Sequence, residues 1–265
     1  MTESTTEPTL AGQHALVTGA GRGIGAGIAE RLAAMGAAVT LVGRTMASLE
    51  TEGARIAARY RVETAVAVAD VSDAAAVDAA FATATEALGA PTILVNNAGA
   101  AESAPFKRTD PALWARMIAV NLTGVYLCTR RALPAMQRAD YGRIITIAST
   151  AGLTGYPYVT AYCAAKHGVV GLTRALAREL ARTGITVNAV CPGYTETDLV
   201  ASAVQTIVDK TGAEAADARA QLAANNPQGR LVTPEEVAGA VAWLVLPESA
   251  AITGQSIAVA GGEIL

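Results

Sequence analysis

Between His14 and Ala260 the sequence alternates short apolar runs with longer stretches of helical pattern, which leaves few possible architectures. The runs His14–Thr18, Ala38–Val42, Thr64–Ala69, Ile93–Val95, Arg143–Ala148, Thr186–Val190 and Ser256–Ala260 read as strands. Gly23–Met35, Met46–Tyr60, Ala74–Leu88, Asp110–Val120, Gly124–Arg138, Thr160–Arg182 and Pro234–Leu246 read as helices. Gly184 punctuates the end of the long Thr160 helix, and Thr233, Pro234, Glu235 and Glu236 mark the start of the last one. Strands alternating with helices predict a parallel sheet covered on both faces. About seven strands use most of the chain, so one doubly wound α/β domain is expected over 11–265, after a frayed leader at 1–10. Only the polar, Ala-rich segment at about 194–226 breaks the rhythm, as a surface elaboration or a lid over a site.

Composition narrows the function classes. The 265 residues are 52% hydrophobic and 16% charged, ample for a large core and unlike a disordered chain. No uninterrupted run of eighteen apolar residues occurs, so no membrane-spanning helix is expected, and Met1 to Pro8 lack a signal-peptide pattern. A net charge of −3 argues against a nucleic-acid partner. Cys128, Cys163 and Cys191 are far apart and odd in number, which suits a reducing cytoplasm. With only His14 and His167, no histidine-rich metal site can form, and no metal is expected.

Thr18-Gly19-Ala20-Gly21-Arg22-Gly23-Ile24-Gly25 lies between the first strand and the first helix. Glycines there let the backbone turn and approach a pyrophosphate, while the helix offers free N–H groups and a positive dipole end. In that context the loop predicts a dinucleotide site and a Rossmann-type domain, although its spacing is not the common G-x-G-x-x-G. The second strand ends in Val42-Gly43-Arg44-Thr45, without the acid that would bond a ribose 2′-hydroxyl. Arg44 offers a guanidinium fork for a 2′-phosphate instead, so NADP(H) is expected, with NAD(H) not excluded. Arg22 either adds a second positive charge or is a solvated loop arginine. Asp70, beside Val71, either accepts from an adenine amino group or shares a helix-capping role with Ser72. Asn96-Asn97-Ala98-Gly99 ends the fourth strand at the same binding edge.

Tyr162 and Lys166 are one helical turn apart and share a face. An ammonium beside a phenol favours the phenolate, so Lys166 is expected to lower the Tyr162 pKa and prepare it for proton transfer. Ser149, at the end of a strand, can donate to a carbonyl oxygen. Asn121 adds a further polar group, or caps a helix. Cys163, next to Tyr162, points about 100° away and is expected to pack rather than react. No G-x-S-x-G elbow surrounds Ser149, which argues against a hydrolase.

Taken in order, Thr18-Gly-x-x-x-Gly-Ile-Gly25, Asp70, Asn96-Asn-Ala-Gly99, Asn121, Ser149, Tyr162-x-x-x-Lys166 and Pro192-Gly193 resemble the short-chain dehydrogenase/reductase family from about Leu10 to Gly262. The resemblance implies Tyr162 as catalytic acid/base, Ser149 as carbonyl orienter, and Lys166 on both Tyr162 and the nicotinamide ribose. It implies that Asn121 holds a water of a proton relay and that Asn97 stabilises the sheet beside the cofactor. Pro192, Gly193, Thr195 and Thr197 would line the nicotinamide, with Thr195 or Thr197 near its carboxamide. Hydride transfer between nicotinamide and a carbonyl carbon follows. A cofactor sensor on the same fold is the reading from another class, and the intact Asn121, Ser149, Tyr162 and Lys166 set weighs against it.

The stretches Lys166–Thr173 and Glu179–Gly193 resemble aromatic polyketide ketoreductases and 3-oxoacyl thioester reductases. That likeness implies NADPH-dependent reduction of a β-keto group. Ala100–Phe106, Thr150–Val159 and the lid should form the substrate pocket, with Phe106, Leu153, Tyr156, Pro157, Tyr158, Leu199 and Val200 as a largely apolar lining. A 3-oxoacyl thioester or another bulky hydrophobic ketone is expected. The alternative is an NAD-dependent secondary-alcohol or 3-hydroxyacyl-CoA dehydrogenase. Arg130, Arg131 and Arg138 form either a solvated helix face or a dock for an acidic carrier. The family resemblance also implies a homotetramer.

Overall fold

The computed structural model describes residues 9–264. The strands β1 (His14–Thr18), β2 (Ala38–Gly43), β3 (Thr64–Val68), β4 (Ile93–Asn96), β5 (Gly142–Ile147), β6 (Ile185–Pro192) and β7 (Ser256–Val259) form one sheet in the order 3-2-1-4-5-6-7. Every pairing is parallel. The single doubly wound domain is therefore as expected, and the chain changes direction between β1 and β4. That switch opens a crevice at the carboxyl ends of the strands, where ligands of such sheets bind.

The strands read as apolar runs because both faces are covered. On one face, Ala15, Val17, Ile93, Val95 and Ile145 pack against α1 (Gly23–Ala34), α2 (Met46–Tyr60) and α9 (Pro234–Val245). On the other, Leu16, Leu94 and Ile144 pack against α3 (Ala74–Leu88) and α5 (Gly124–Ala139), and Ala177 of α6 (Thr160–Glu179) joins them. Burying each such side chain fully contributes roughly 1.5–3 kcal/mol. The helix starts are chemically marked. Asp73 accepts from the Ala75 and Ala76 amides, and Asp110 from the Leu113 amide at 2.7 Å. Thr233 and Glu236 make a reciprocal capping box.

Four expectations need correction. Leu10 is no part of a frayed leader. It is buried in the core, and its amide donates to the Met35 carbonyl at 2.9 Å; residues 1–8 of that expected leader lie outside the described residues. The long helix α6 ends at Glu179 rather than Arg182, because buried Leu180 turns the chain and Gly184 already enters the sheet beside Gly142. The two helices expected at Asp110–Val120 and Gly124–Arg138 are one continuous helix, Pro111–Ala139. It comprises α4 (Pro111–Ile118), a π turn at Ala119–Thr123, and α5. At 29 residues, with a mean hydropathy of 1.2 in its most apolar window, it is long and apolar enough to cross a membrane. In the fold its Met117, Val125, Cys128, Ala132 and Met136 are buried within the domain. The fourth correction concerns capping: Asp73 caps α3, not Asp70 or Ser72.

The segment at 194–226 folds into α7 (Asp198–Thr211) and α8 (Ala215–Ala223). Val200, Leu222 and Leu231 hold it together as a small cluster apart from the main core.

Candidate active site

The crevice between β1 and β4 is tied by one threonine and one asparagine. The Thr18 hydroxyl accepts from the Asn97 and Ala98 amides, each at 3.0 Å. The Asn97 side chain donates to the Thr18 carbonyl at 2.9 Å and the Gly19 carbonyl at 3.2 Å. Gly19 sits at φ +67°, and a Cβ there would lie 2.8 Å from the Asn97 amide nitrogen. Gly23, at φ +56°, opens α1 after an extended Arg22. Gly25 faces the Gly19 carbonyl so closely that no side chain fits, and Ile24 packs onto the core. No side chain caps α1, and its first turn has no acid. A glycine cradle under bare helix N–H groups fits a pyrophosphate.

Arg44 is exposed at the end of β2. The Asp70 carboxyl is held below its ordinary range, first by bonds from the Ser72 hydroxyl (2.6 Å) and amide (2.9 Å), then by the Arg44 charge. Val71 beside it is buried and packs against Gly124, where a Cβ would come within 2.8 Å. Arg22 is a solvated loop arginine that pairs with Asp198 at 3.0 Å on the surface, joining the glycine loop to α7.

Gly99 brings the fourth-strand loop beside Asn121 and Lys166. A Cβ on it would lie 3.0 Å from the Asn121 Oδ1 and 3.8 Å from the Lys166 Nζ. The Gly193 amide, just past Pro192, donates to the Val259 carbonyl at 3.1 Å. Thr195 donates to the Gly193 carbonyl at 3.0 Å, and Thr197 to the Thr195 carbonyl at 3.2 Å. Both hydroxyls thus hold their own loop and keep lone pairs for accepting a bond.

Ser149 follows the end of β5, and its Oγ accepts from the Ala151 amide at 3.1 Å. Tyr162 and Lys166 both lie on α6, with the Lys166 Nζ 5.6 Å from the Tyr162 ring centre. The expected lowering of the Tyr162 pKa is not observed. Burial pushes it up to about 12, against the opposing pull of the Ser149 hydroxyl's hydrogen bond. Lys166 is buried and pushed down to about 8 by desolvation, and donates to the Ile147 carbonyl at 2.8 Å. Asn121 is fully buried in the π turn. Its amide donates to the Ala100 and Met117 carbonyls at 2.9 and 3.0 Å and accepts from the Ala100 amide at 3.2 Å. These bonds tie the loop at Ala100 to the π turn.

Sequence reasoning misses one polar group at this edge. Glu263, four residues past β7, accepts a short hydrogen bond from the Tyr156 hydroxyl. That hydroxyl also lies 2.9 Å from the Thr150 hydroxyl. Tyr194 meets Tyr156 edge-on, with ring centres 6.5 Å apart. Tyr156 thus carries a polar linkage where apolar lining is expected. The only signal in the sequence is a lone acid after Gly261-Gly262.

Phe106, Tyr158 and Leu199 remain strongly exposed around this edge. A large concavity, about 810 Å³, lies elsewhere, on the outer side between α6 and β7, with Leu153, Arg174 and Ile264 among its walls.

A doubly wound parallel sheet with a glycine cradle at its switch point, and a serine, tyrosine and lysine converging beside it, defines a dinucleotide-dependent oxidoreductase. The family model described as enoyl-(acyl carrier protein) reductase matches residues 19–263. The chain therefore belongs to that family, within the NAD(P)-dependent short-chain dehydrogenases/reductases. The 3-oxoacyl-[acyl-carrier-protein] reductase FabG of Vibrio harveyi is 40% identical, over 96% of this chain and 98% of its own length. The D-beta-hydroxybutyrate dehydrogenase of Cupriavidus necator is 42% identical, over 91% and 93%. The crystal structure of a tryptophan-substituted actinorhodin polyketide ketoreductase with NADPH superposes with a TM-score of 0.91, at 41% identity, over 95% of this chain and 97% of that one.

Proposed function

We propose that the protein is an NADPH-dependent carbonyl reductase acting on a 3-oxoacyl thioester or another bulky hydrophobic ketone. The observation that carries this reading is the meeting of Ser149, Tyr162 and Lys166 beside the glycine cradle. Gly19, Gly23, Ile24 and Gly25 would hold the pyrophosphate of NADPH and Arg44 its 2′-phosphate, with Arg22 as a second positive charge. Asp70 and Val71 would meet the adenine, and Asn97, Ala98 and Gly99 the adjoining ribose side. Lys166, Pro192, Gly193, Thr195 and Thr197 would hold the nicotinamide half. Bound there, the reduced nicotinamide supplies a hydride.

The rest is done by the chain's own groups. Ser149 Oγ donates to the substrate carbonyl oxygen and stabilises charge developing on it. Tyr162 donates the proton that the new alcohol oxygen requires. With its pKa near 12 the phenol holds its proton at neutral pH, which suits donation and hence reduction. Lys166, charged below about pH 8, restores the field that favours the phenolate after transfer. The apolar rim of Phe106, Tyr158 and Leu199 supports a hydrophobic acyl or polycyclic substrate.

The reading includes a cytoplasmic homotetramer without nucleic-acid or membrane partners. The open groove between α6 and the edge strand β7 supports association there, which a mass measurement in solution tests.

The test of function is an initial-rate assay on nicotinamide absorbance, comparing NADPH with NADH on acetoacetyl-CoA and on a bicyclic ketone. Turnover with NADPH on the thioester is expected. Activity confined to NAD and a secondary alcohol overturns the reading in favour of the oxidative alternative.

A further inference from the structure

The carboxyl ends of β5 and β6 each carry a loop at the crevice edge. The β5 loop holds Ser149, Thr150 and Tyr156, and the β6 loop holds Gly193 and Tyr194. Glu263, from the segment after β7, reaches both.

On the β5 side, Glu263 Oε1 accepts from the Tyr156 hydroxyl. The Tyr156 proton is then committed to the carboxylate, so the Thr150 hydroxyl at 2.9 Å is the donor to the phenol oxygen. Burial and the Glu263 bond both push the Tyr156 pKa up, while the Thr150 bond pulls it down, as a donor to the phenol oxygen should. On the β6 side, Glu263 Oε2 lies against Gly193, where a Cβ would come within 2.8 Å of it. That oxygen is buried and has no hydrogen-bond partner among the described residues. Glu263 is half-buried, and the Tyr156 bond is the one side-chain hydrogen bond of its carboxylate among the described residues.

We infer that Glu263 is a positioning residue for the reaction: through Tyr156 and Thr150 it clamps the loop bearing Ser149 to the segment that follows β7. The inference rests on the reductase reading for its kinetic consequence alone. Ser149 is the next residue to Thr150, so a loosened Thr150 misplaces the hydroxyl that orients the carbonyl.

The test uses the full chain with Glu263→Ala, Glu263→Gln, Tyr156→Phe and the double variant Glu263→Ala/Tyr156→Phe. Glu263→Ala and Tyr156→Phe should each lower kcat on a bicyclic ketone about 10-fold while leaving the NADPH dissociation constant unchanged. The double variant should be no worse than either single one, because both break one linkage. Gln keeps an acceptor for the Tyr156 proton and should restore most of the rate. Amide hydrogen exchange, which needs no substrate, should quicken across Ser149–Tyr158 in Glu263→Ala and Tyr156→Phe but not in Glu263→Gln.

Unchanged exchange in both Glu263→Ala and Tyr156→Phe overturns the clamp whatever the enzyme's substrate. Quickened exchange with unchanged kcat overturns its part in positioning. A wild-type chain inactive on every ketone overturns the reductase reading, and the exchange data then still decide whether the clamp exists. Should Glu263→Ala fail to fold, Tyr156→Phe carries the same comparison.

Discussion

Lys166 Nζ donates at 2.8 Å to the carbonyl oxygen of Ile147, the last residue of β5. The bond anchors α6 to the strand that leads to Ser149, and satisfies one of three ammonium donors in a buried place. It does not offset the whole desolvation, since the lysine is still pushed down to about 8.

That cost has a pH signature. Below about pH 8 the lysine is charged in both folded and unfolded chains, and the penalty is fully present. Between about 8 and the ordinary value of 10.5 the unfolded chain binds more protons, so this group makes stability rise with pH. The rise is on the order of 3 kcal/mol at most. Urea midpoints from pH 7.5 to 10 should show a rise in the wild type that is missing in Lys166→Met.

Tyr162→Phe keeps the ring's packing and removes the hydroxyl proposed as proton donor. Turnover should fall about 1,000-fold. Fluorescence titration with NADPH should give an unchanged dissociation constant, which separates proton donation from cofactor binding.

Arg44 stands exposed where an acid would otherwise meet a ribose hydroxyl. Arg44→Asp should lower the ratio of NADPH to NADH specificity at least about 10-fold, through loss of charge-assisted bonds and added repulsion. An unchanged ratio of kcat/KM values would rule out Arg44 as the reader of the 2′-phosphate.

His14 is buried in β1, its Nδ1 2.7 Å from the Gly89 carbonyl and its Nε2 2.8 Å from the Thr40 hydroxyl. A neutral ring satisfies both by donating from Nδ1 and accepting at Nε2. Burial lowers its pKa from 6.5, against the smaller opposing pull of the Gly89 bond. The unfolded chain therefore binds the extra proton first. The stability this histidine contributes is present above pH 6.5 and is lost as pH falls through the folded value. Chemical denaturation between pH 7 and 5 should show that loss in the wild type, and a shallower pH slope in His14→Asn.

The strands and most helices are legible because their burial is written in local order. All five residues of β1 are buried, and alternate ones feed opposite core faces. Tyr162 and Lys166 are legible because one helical turn relates them. Ser149 needs the strand before it. What escapes has another cause. Glu263 and Tyr156 are 107 positions apart and meet through tertiary packing alone. The state of Tyr162 also escapes: proximity to an ammonium is visible in spacing, but desolvation is a property of the folded surroundings, and here it prevails. Asp70 and Ser72 are the capping candidates read from the sequence, but in the fold they bond to each other and Asp73 takes the Ala75 and Ala76 amides.

The π turn at Ala119–Thr123 makes the helix Pro111–Ala139 a shaft with a phase slip. A regular helix advances about 100° per residue, and the slip is about one residue's worth. Leu113 and Met117 can therefore face Ala161 and the Ala100 loop, while Cys128 and Met136 face the sheet. A gain or loss of one residue within this turn would be felt as rotation more than as length. It would swing the α4 flank, and with it the Ala100 loop that Asn121 grips, around an unmoved α5. Lineages that differ here by a single residue should differ in which substrate shapes they admit, with their cofactor crevice unchanged.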